Sequence, residues 1–305
     1  MSVALSVREA GGFVGRRALR RRHSRRAIAA AVRRGEIRRP GRDRYVVPEV
    51  GDQQAFAHEH CATLSHLSAA LVHGWKVKWV PERPWLVVAP GRNVSERLRG
   101  ECAHLSWSTV TPGERARGVT DPLRTVIDCA RALPEDEALA VADSALRSRR
   151  VTKGELATAA AEVKGAGAAR VRRVLQAADG RAAGPFESVL RAIALPIPGI
   201  SLSPQHLIAD PGLFAIVDLA DPARHLVLEA DSFEFHATKA GFLRDVRRYA
   251  ELTMYGWHIL RFAWVDVMTR PEWVRWVIET WLAGQEGREL PVQPADSPAV
   301  RDRVA

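Results

Sequence analysis

The spacing of apolar and polar positions in the first fifty residues predicts helices followed by a β-hairpin. Apolar residues recur at helical spacing between positions 27 and 32, and Ser24 in front of them is a favoured N-cap residue, so we expect a helix over residues 25–34. Two short β-prone runs, residues 36–39 and 44–47, flank a turn-forming Pro-Gly-Arg-Asp sequence at 40–43. Helices followed by a hairpin are typical of a winged helix, which we predict for residues 1–50.

The middle of the chain, residues 51–180, has both helical and extended patterns. Apolar positions at helical spacing predict helices over residues 64–72, 121–132 and 135–148. Short apolar runs predict strands at residues 85–89 and 104–107. We therefore expect a mixed α/β middle region, and no group of residues in it indicates chemistry.

Beyond Gly184 the pattern becomes that of a separate unit over residues 181–288. Pro185 opens a helix at 185–194, where proline is tolerated in the first helical position. Two apolar runs, residues 214–220 and 225–229, are joined by a proline-containing turn and predict an antiparallel hairpin. A helix at 239–255, a strand at 257–262 and a helix at 272–282 follow. The predicted order is helix, strand, strand, helix, strand, helix, before a proline-rich tail at 289–305 that we expect to be disordered.

Composition makes this an α+β multidomain chain of ordinary globular type. The 305 residues are 47% hydrophobic and 26% charged, which excludes wholesale disorder and allows two or three domains. No apolar run approaches the roughly 18–20 residues of a membrane span, and the first residues lack the features of a secretory signal. The three cysteines are far apart, which fits a reduced, cytoplasmic chain and excludes a disulfide scaffold.

Positive charge is confined to the first fifty residues. They hold fourteen arginines, no lysine and four acidic residues, a local charge of +10, while the rest of the chain is neutral. Such a field attracts polyanions, and arginine favours bidentate phosphate contacts. A solvated basic face, or a winged helix that contacts proteins, would carry the same charge. The residues that we expect to contact double-stranded DNA are Arg25, Arg26 and Arg33 on or near the recognition helix and Arg38, Arg39, Arg42 and Arg44 on the wing.

Two carboxylates stand within or at the end of neighbouring predicted strands. Asp218 lies in the first strand of the hairpin and Glu229 ends the second, so both are expected at one edge of the sheet. With Glu187 from the preceding helix they can bind one hard cation, Mg²⁺ or Mn²⁺. A cation there would stabilise charge on a phosphate and acidify an attacking water, as phosphodiester hydrolysis requires. Taken singly, each carboxylate could instead be a turn former or a favourable charge in a first helical turn.

Residues 183–282 resemble the PD-(D/E)xK nuclease superfamily, and more narrowly the very-short-patch-repair endonucleases. The resemblance rests on PFESVLR at 185–191, IVDL at 216–219, LVLEADSFEFH at 226–236, RDVRRY at 244–249 and GWHILRF at 256–262. It implies an α/β/α sandwich with a metal-dependent endonuclease site. The acidic active-site positions of the family fall on Glu187, Asp218, Glu229 and Asp231, and further polar positions fall on His236, Arg244 and Arg248.

One position departs from the family pattern. The superfamily has a lysine two residues after the second-strand acid, and this chain has Asp231 there. That lysine orients the attacking water or neutralises developing charge. The very-short-patch-repair branch often lacks it, and the resemblance implies that His236 acts as a base or phosphate contact instead. Arg244, Arg248 and Lys239 are the candidates for supplying positive charge.

The first fifty residues resemble the N-terminal winged helix of AbiE-type antitoxins, which are DNA-binding repressors of type IV toxin–antitoxin systems. LSHLSAALVHG at 64–74 and VTDPLRTVIDCARAL at 119–133 resemble the central region of the same proteins. This resemblance implies an alternative function, a regulator with a catalytically inert nuclease fold and a cognate toxin as partner. Winged-helix repressors commonly dimerise on symmetric sites, so a homodimer is the associated expectation. Nothing in these residues separates a DNA substrate from an RNA substrate.

Overall fold

The computed structural model describes residues 1–96, 98–231, 239–295 and 297 of a mixed α+β protein with three small sheets. The chain divides into two units. The first consists of Met1–Trp75 and Trp79–Ala132, and the second of Lys76–Lys78 and Leu133–Ala305. The predicted boundaries at residues 50 and 180 lie inside these units and stay predictions. The predicted tail at 289–305 lies partly outside the described residues.

The first unit begins with helices around a three-stranded antiparallel sheet of order β1-β3-β2. The helix predicted at 25–34 is confirmed, and the Ser24 side chain caps it by accepting a hydrogen bond from the Ala27 amide at 3.1 Å. The first hairpin strand begins two residues later than predicted and continues through Gly41. The elements are α1 (Val3–Glu9), β1 (Phe13–Gly15), α2 (Arg16–Arg20), α3 (Arg25–Arg33), β2 (Arg38–Gly41) and β3 (Arg44–Val46).

The rest of the first unit surrounds a second sheet of order β4-β5-β6. Its strands β4 and β5 are antiparallel, whereas β5 and β6 are parallel. The two strands and the helices predicted in this part are confirmed with small shifts at their ends. The elements are α4 (Asp52–Glu59), β4 (Thr63–Leu64), α5 (His66–Val72), β5 (Trp85–Val88), β6 (His104–Trp107), α6 (Pro112–Arg117) and α7 (Pro122–Ala132).

The second unit contains a four-stranded sheet of order β10-β9-β8-β7, in which only β10 and β9 are parallel. The predicted element order was wrong in two places, because β7 and α13 were missed. Strand β7 includes Pro204 and several polar residues and lies at the sheet edge, where proline is tolerated. The elements are α8 (Glu135–Arg147), α9 (Lys153–Glu162), α10 (Ala168–Ala177), α11 (Pro185–Ala194), β7 (Ser203–Asp210), β8 (Leu213–Asp221), β9 (Leu226–Asp231), α12 (Lys239–Met254), β10 (His258–Ala263), α13 (Trp264–Thr269) and α14 (Pro271–Gln285).

Helices cover both faces of this sheet. Leu226 and Leu228 of β9 pack in one core cluster with residues of α11 and α14. Val227, between them, packs in another with Leu252 of α12 and with Trp257. Strand β9 is therefore apolar on both sides, as expected for a strand covered by helices on each face. None of the helices in the described ranges is long and apolar enough to cross a membrane.

A buried ion pair fixes α11 against α8. The Arg191 guanidinium donates to both oxygens of Asp143, at 2.8 and 2.7 Å, and the two side chains are 4% and 0% exposed. Arg191 also donates to the Ala177 carbonyl, and Asp143 accepts from the Asp179 amide. These bonds satisfy charges that would be costly to bury alone. They set the position of α11, whose first turn carries Glu187.

Candidate active site and arginine surface

Asp218 and Glu229 form a carboxyl pair where the ladder between β8 and β9 ends. They occupy the register position next to the last ladder pair, Leu219 and Leu228. The Asp218 carboxylate accepts from the Ala230 amide at 2.9 Å, so it takes the place of a ladder hydrogen bond. The two carboxyl groups are close enough to share a hydrogen bond. Glu229 is only 4% exposed.

Gln205 connects this pair to Glu187 in the first turn of α11. Its side-chain amide donates to Glu187 at 2.9 Å and lies 3.4 Å from Asp218 Oδ1. Glu187 also accepts from the Ala183 amide at 2.9 Å. Gln205 has a φ of 48°, in the left-handed region that is unfavourable for a residue with a Cβ. Such strain is kept where the surrounding structure imposes it, often at functional sites. Gln205 was not predicted, because no local sequence pattern indicates its positive φ.

The predicted acidic residues meet in one cavity of about 430 Å³. Its charged lining consists of Glu187, Asp218, Glu229, Asp231, Asp245, Lys76 and Arg248. All four acids that the nuclease resemblance placed at the active site are therefore brought together. Among the described residues of the lining, five acids outnumber two cations, and the cavity is called the acidic cavity below.

Other predicted residues have different positions. Asp231 is paired with Arg261 at 2.5 Å. Arg248 contacts Glu229 at 3.2 Å and also donates to the Ile216 carbonyl at 3.1 Å. Arg244 is exposed, and it is absent from the lining of the cavity.

Two of the residues singled out in the sequence cannot be placed in the cavity. His236 lies outside the described residues, and so does the side chain of Lys239. Their expected roles, as a base or phosphate contact and as a source of positive charge, stay predictions.

The cavity favours the protonated form of three of its carboxyl groups, because their pKa values are raised. Burial raises the pKa of Glu187 and of Asp218. Burial, together with the charge of Asp218, raises the pKa of Glu229 to about 8, although Arg248 acts in the opposite direction. A proton or a bound cation at these three carboxyl groups would therefore lower the free energy of holding them so close together.

The metal site predicted from the sequence consists of Asp218, Glu229 and Glu187. Within residues 1–96, 98–231, 239–295 and 297, no three His, Cys, Asp or Glu side chains are grouped so as to hold a metal ion. Glu187 is bonded to Gln205 and Ala183, which leaves Asp218 and Glu229 as the adjoining pair. Mg²⁺ often keeps several waters and takes only one or two carboxylates, so the pair fits this ion by the chemistry of its donors. The three-carboxylate site stays a prediction.

Replacing Glu229 with Gln is expected to stabilise the protein at pH 9 and to have little effect at pH 5. The folded-state pKa of about 8 lies above the ordinary value of 4.5, so the stability contributed by the protonated group is fully present below pH 4.5 and is lost as the pH rises from there through about 8. The amide keeps the shape of the acid and has no proton to lose. We expect a difference on the order of a few kcal/mol at pH 9, seen as a Tm several degrees higher than that of wild type. Glu272→Gln, at an exposed acid in the first turn of α14, is the control, and equal pH profiles for wild type and Glu229→Gln would contradict the expectation.

An arginine surface lies in the first unit. Five arginines, together with Ile28 and Tyr45 among others, line a cavity of about 320 Å³ between α2, α3 and the hairpin. Three of the five were predicted, and two on α2 were missed because the boundaries of that helix were not recognised. The five are Arg16, Arg20, Arg25, Arg33 and Arg39, and they are called the arginine surface below.

The remaining predicted arginines are divided between exposed and internal positions. Arg26 and Arg42 are exposed. Arg38 pairs with Asp52 at 2.9 Å and donates to the Val50 carbonyl, and Arg44 contacts the Cys61 sulfur. Arg38 and Arg44 thus make contacts within the unit. In the arginine surface, Arg16 pairs with Asp43 at 3.1 Å and Arg39 donates to the Arg42 carbonyl. Its other members, Arg20, Arg25 and Arg33, are exposed.

The chain is similar to sequence relatives and, more distantly, to a solved structure. The chain is 38% identical over 160 residues to the uncharacterized proteins MT2308 and Rv2248, each from a strain of Mycobacterium tuberculosis. The matched region covers 51% of this chain and 58% of each relative, so the chain spans less than two thirds of their length. A crystal structure of the RV2827C protein from Mycobacterium tuberculosis aligns with a TM-score of 0.33 and 12% identity, over 68% of this chain and 87% of that protein. No family model matches the chain.

Proposed function

We propose that this chain binds double-stranded DNA and hydrolyses its phosphodiester bonds with Mg²⁺ or Mn²⁺ at the Asp218–Glu229 pair. The observation that carries the proposal is the pair itself, two adjacent carboxyls in an open acidic cavity, one with a pKa raised to about 8. Close carboxyls with raised pKa values are costly for stability alone and are typical of sites that act on a ligand. The cavity is large enough for part of a nucleotide.

The arrangement of elements supports the same function. Carboxylates on α11, β8 and β9, in a sheet covered by helices on both faces, fit a PD-(D/E)xK-like domain of the very-short-patch-repair type. In the first unit, α2, α3 and the β2–β3 hairpin fit a winged helix. The arginine surface lies between its helices and hairpin, where phosphates of a duplex would contact it.

Each residue of the cavity has a role in this proposal. Asp218 and Glu229 would hold the metal ion, which when bound supplies charge neutralisation at the phosphate and lowers the pKa of a water. Gln205 keeps Asp218 and Glu187 in fixed positions through its amide. Arg248 orients Glu229. Glu187, whose pKa is raised by burial, would accept a proton from the attacking water.

Replacing Arg25 and Arg33 together with Ala is expected to weaken binding of a 20-base-pair duplex by about tenfold or more in EDTA buffer. Fewer counterions are released on binding when a phosphate contact is lost. The slope of log K against log salt therefore becomes less steep by about 0.9 per contact. Fluorescence anisotropy over a salt series measures both quantities. Arg115→Ala, an exposed arginine on α6, is the matched control. Unchanged affinity and slope in the double variant would show that another surface binds the duplex.

A second function, an AbiE-like transcriptional regulator with an inert nuclease fold, is favoured by a specific observation. Glu229 is paired with Arg248 and Asp231 with Arg261, so two of the acids already have cationic partners. A folded protein that binds duplex DNA, takes up no Mn²⁺ in calorimetric titration and leaves plasmid intact would support the regulator. A cognate toxin would then be the expected partner, and a homodimer on a symmetric site the expected assembly.

A further inference from the structure

Within the described part of α12, the cation that lines the acidic cavity, Arg248, is already engaged. Five carboxylates line it, and a phosphodiester brings one more negative charge. Arg248 is occupied by Glu229, by the Ile216 carbonyl and by the Tyr249 hydroxyl, at 3.2, 3.1 and 3.0 Å. It also lies 3.7 Å from Asp245. An anionic ligand therefore needs positive charge from elsewhere in the cavity.

Among the described residues that line the cavity, the cation other than Arg248 is Lys76, which comes from a distant part of the sequence. The segment Lys76–Lys78 belongs to the second unit, although the residues on either side belong to the first. The Lys76 amide donates to the Ser144 hydroxyl of α8 at 2.9 Å. Lys78 pairs with Asp136 of the same helix at 2.6 Å and is 8% exposed. Two contacts with α8 thus fix the backbone from which the Lys76 side chain reaches the cavity.

The Lys76 side chain is available for a ligand. It is exposed where it lines the cavity, and among the described residues its ammonium group has no hydrogen-bond or ion-pair partner. Lysine is also unusual in this chain, which has five lysines among 45 basic residues. An ammonium on a flexible stem makes a compact point charge that follows a phosphate, where arginine favours planar two-point contacts.

We infer that Lys76 is the phosphate-binding residue of the acidic cavity, where its ammonium group contacts a phosphate of the nucleic-acid strand. The choice of a nucleic-acid phosphate rests on the proposed function. The contact itself rests on the exposed position of Lys76 in the cavity, on the engagement of Arg248 and on the acids that outnumber the cations among the described lining residues. The ammonium offsets the repulsion between the carboxylates and the phosphate, so it contributes mainly to ligand affinity.

The test uses the full chain and two measurements. Binding of thymidine 3′,5′-bisphosphate is measured by calorimetry with and without Ca²⁺, and cleavage of supercoiled plasmid is measured with Mn²⁺. Lys76→Ala is expected to weaken nucleotide binding about tenfold or more and to raise the KM for plasmid more than it lowers kcat. Lys76→Arg keeps the charge and should recover most of the affinity. Lys164→Ala removes an exposed lysine outside the cavity and should match wild type.

The outcomes separate this inference from the proposed function. Lys76-dependent nucleotide binding without plasmid cleavage by wild type supports the phosphate contact and overturns the nuclease. Equal nucleotide binding by wild type and Lys76→Ala, or no binding by either protein, overturns the role of Lys76 whether or not plasmid is cut. Cleavage by Lys76→Ala with wild-type KM and kcat also overturns it.

Discussion

Asp218→Asn and Glu229→Gln are each expected to lower the rate of Mg²⁺- or Mn²⁺-dependent cleavage of supercoiled plasmid by at least about 100-fold. The two carboxylates are adjacent at the end of the β8–β9 ladder and are the best placed donors for a cation in the cavity. Each substitution keeps the shape of the side chain and removes one anionic ligand. Plasmid nicking and linearisation, followed on gels over time, give the rates.

Three controls make this result specific to the cavity. Asp210→Asn, an exposed acid at the end of β7, should cleave like wild type. Both site variants should bind a 20-base-pair duplex with wild-type affinity, since the arginine surface is unchanged. Glu229→Gln should also be more stable than wild type at pH 9, so its inactivity could not be attributed to unfolding. Wild-type cleavage rates in both site variants would exclude the pair as the active site, and a folded, DNA-binding wild type that cuts nothing would favour the regulator.

Arg191→Ala is expected to destabilise the second unit by about 3–5 kcal/mol. The substitution leaves the Asp143 carboxylate buried without its cation, and burial already raises the pKa of this acid. Denaturant unfolding followed by tryptophan fluorescence measures the loss, because Trp257, Trp273 and Trp281 lie in the second unit. The position of α11 depends on this pair, so cleavage should fall at temperatures where the variant is still folded.

Two further variants show whether the loss of stability in Arg191→Ala comes from an uncompensated buried charge. Arg275→Ala breaks the exposed pair with Glu279 on α14 and should cost about 0–1 kcal/mol. Replacing Arg191 with Met and Asp143 with Leu removes both charges at once and should recover much of the stability lost in Arg191→Ala. A loss of less than about 1 kcal/mol in Arg191→Ala would show that water or a rearrangement satisfies Asp143.

The sequence was most informative where a local pattern determines structure. Ser24 and the apolar spacing after it predicted α3, and the apolar runs on either side of Pro222 predicted β8 and β9. The proximity of Asp218 and Glu229 followed from that hairpin, because cross-strand neighbours meet once the turn is known. These features depend on residues close together in the sequence.

Features that depend on distant contacts could not be predicted in the same way. Strand β7 has a polar composition with a proline, and it forms because β8 offers it an edge. Gln205 lies opposite Asp218 only because β7 pairs with β8, so neither this position nor its positive φ can be predicted from the local sequence. Lys76 lies more than a hundred residues from Glu187 in sequence and reaches the same cavity through contacts with α8.

The bridge made by Gln205 has a mechanical consequence for the cavity. The Gln205 amide contacts both Glu187 of α11 and Asp218 of β8. The reach of this one side chain therefore sets the distance between the two carboxyl groups. If the β7–β8 hairpin moves, either α11 moves with it or the hydrogen bonds of Gln205 break. Intermediate distances between Glu187 and Asp218 are therefore disfavoured. The Glu187 side of the cavity accordingly accepts a small range of ligand sizes. The side near Lys76 accepts a larger range, because the long lysine side chain can adjust.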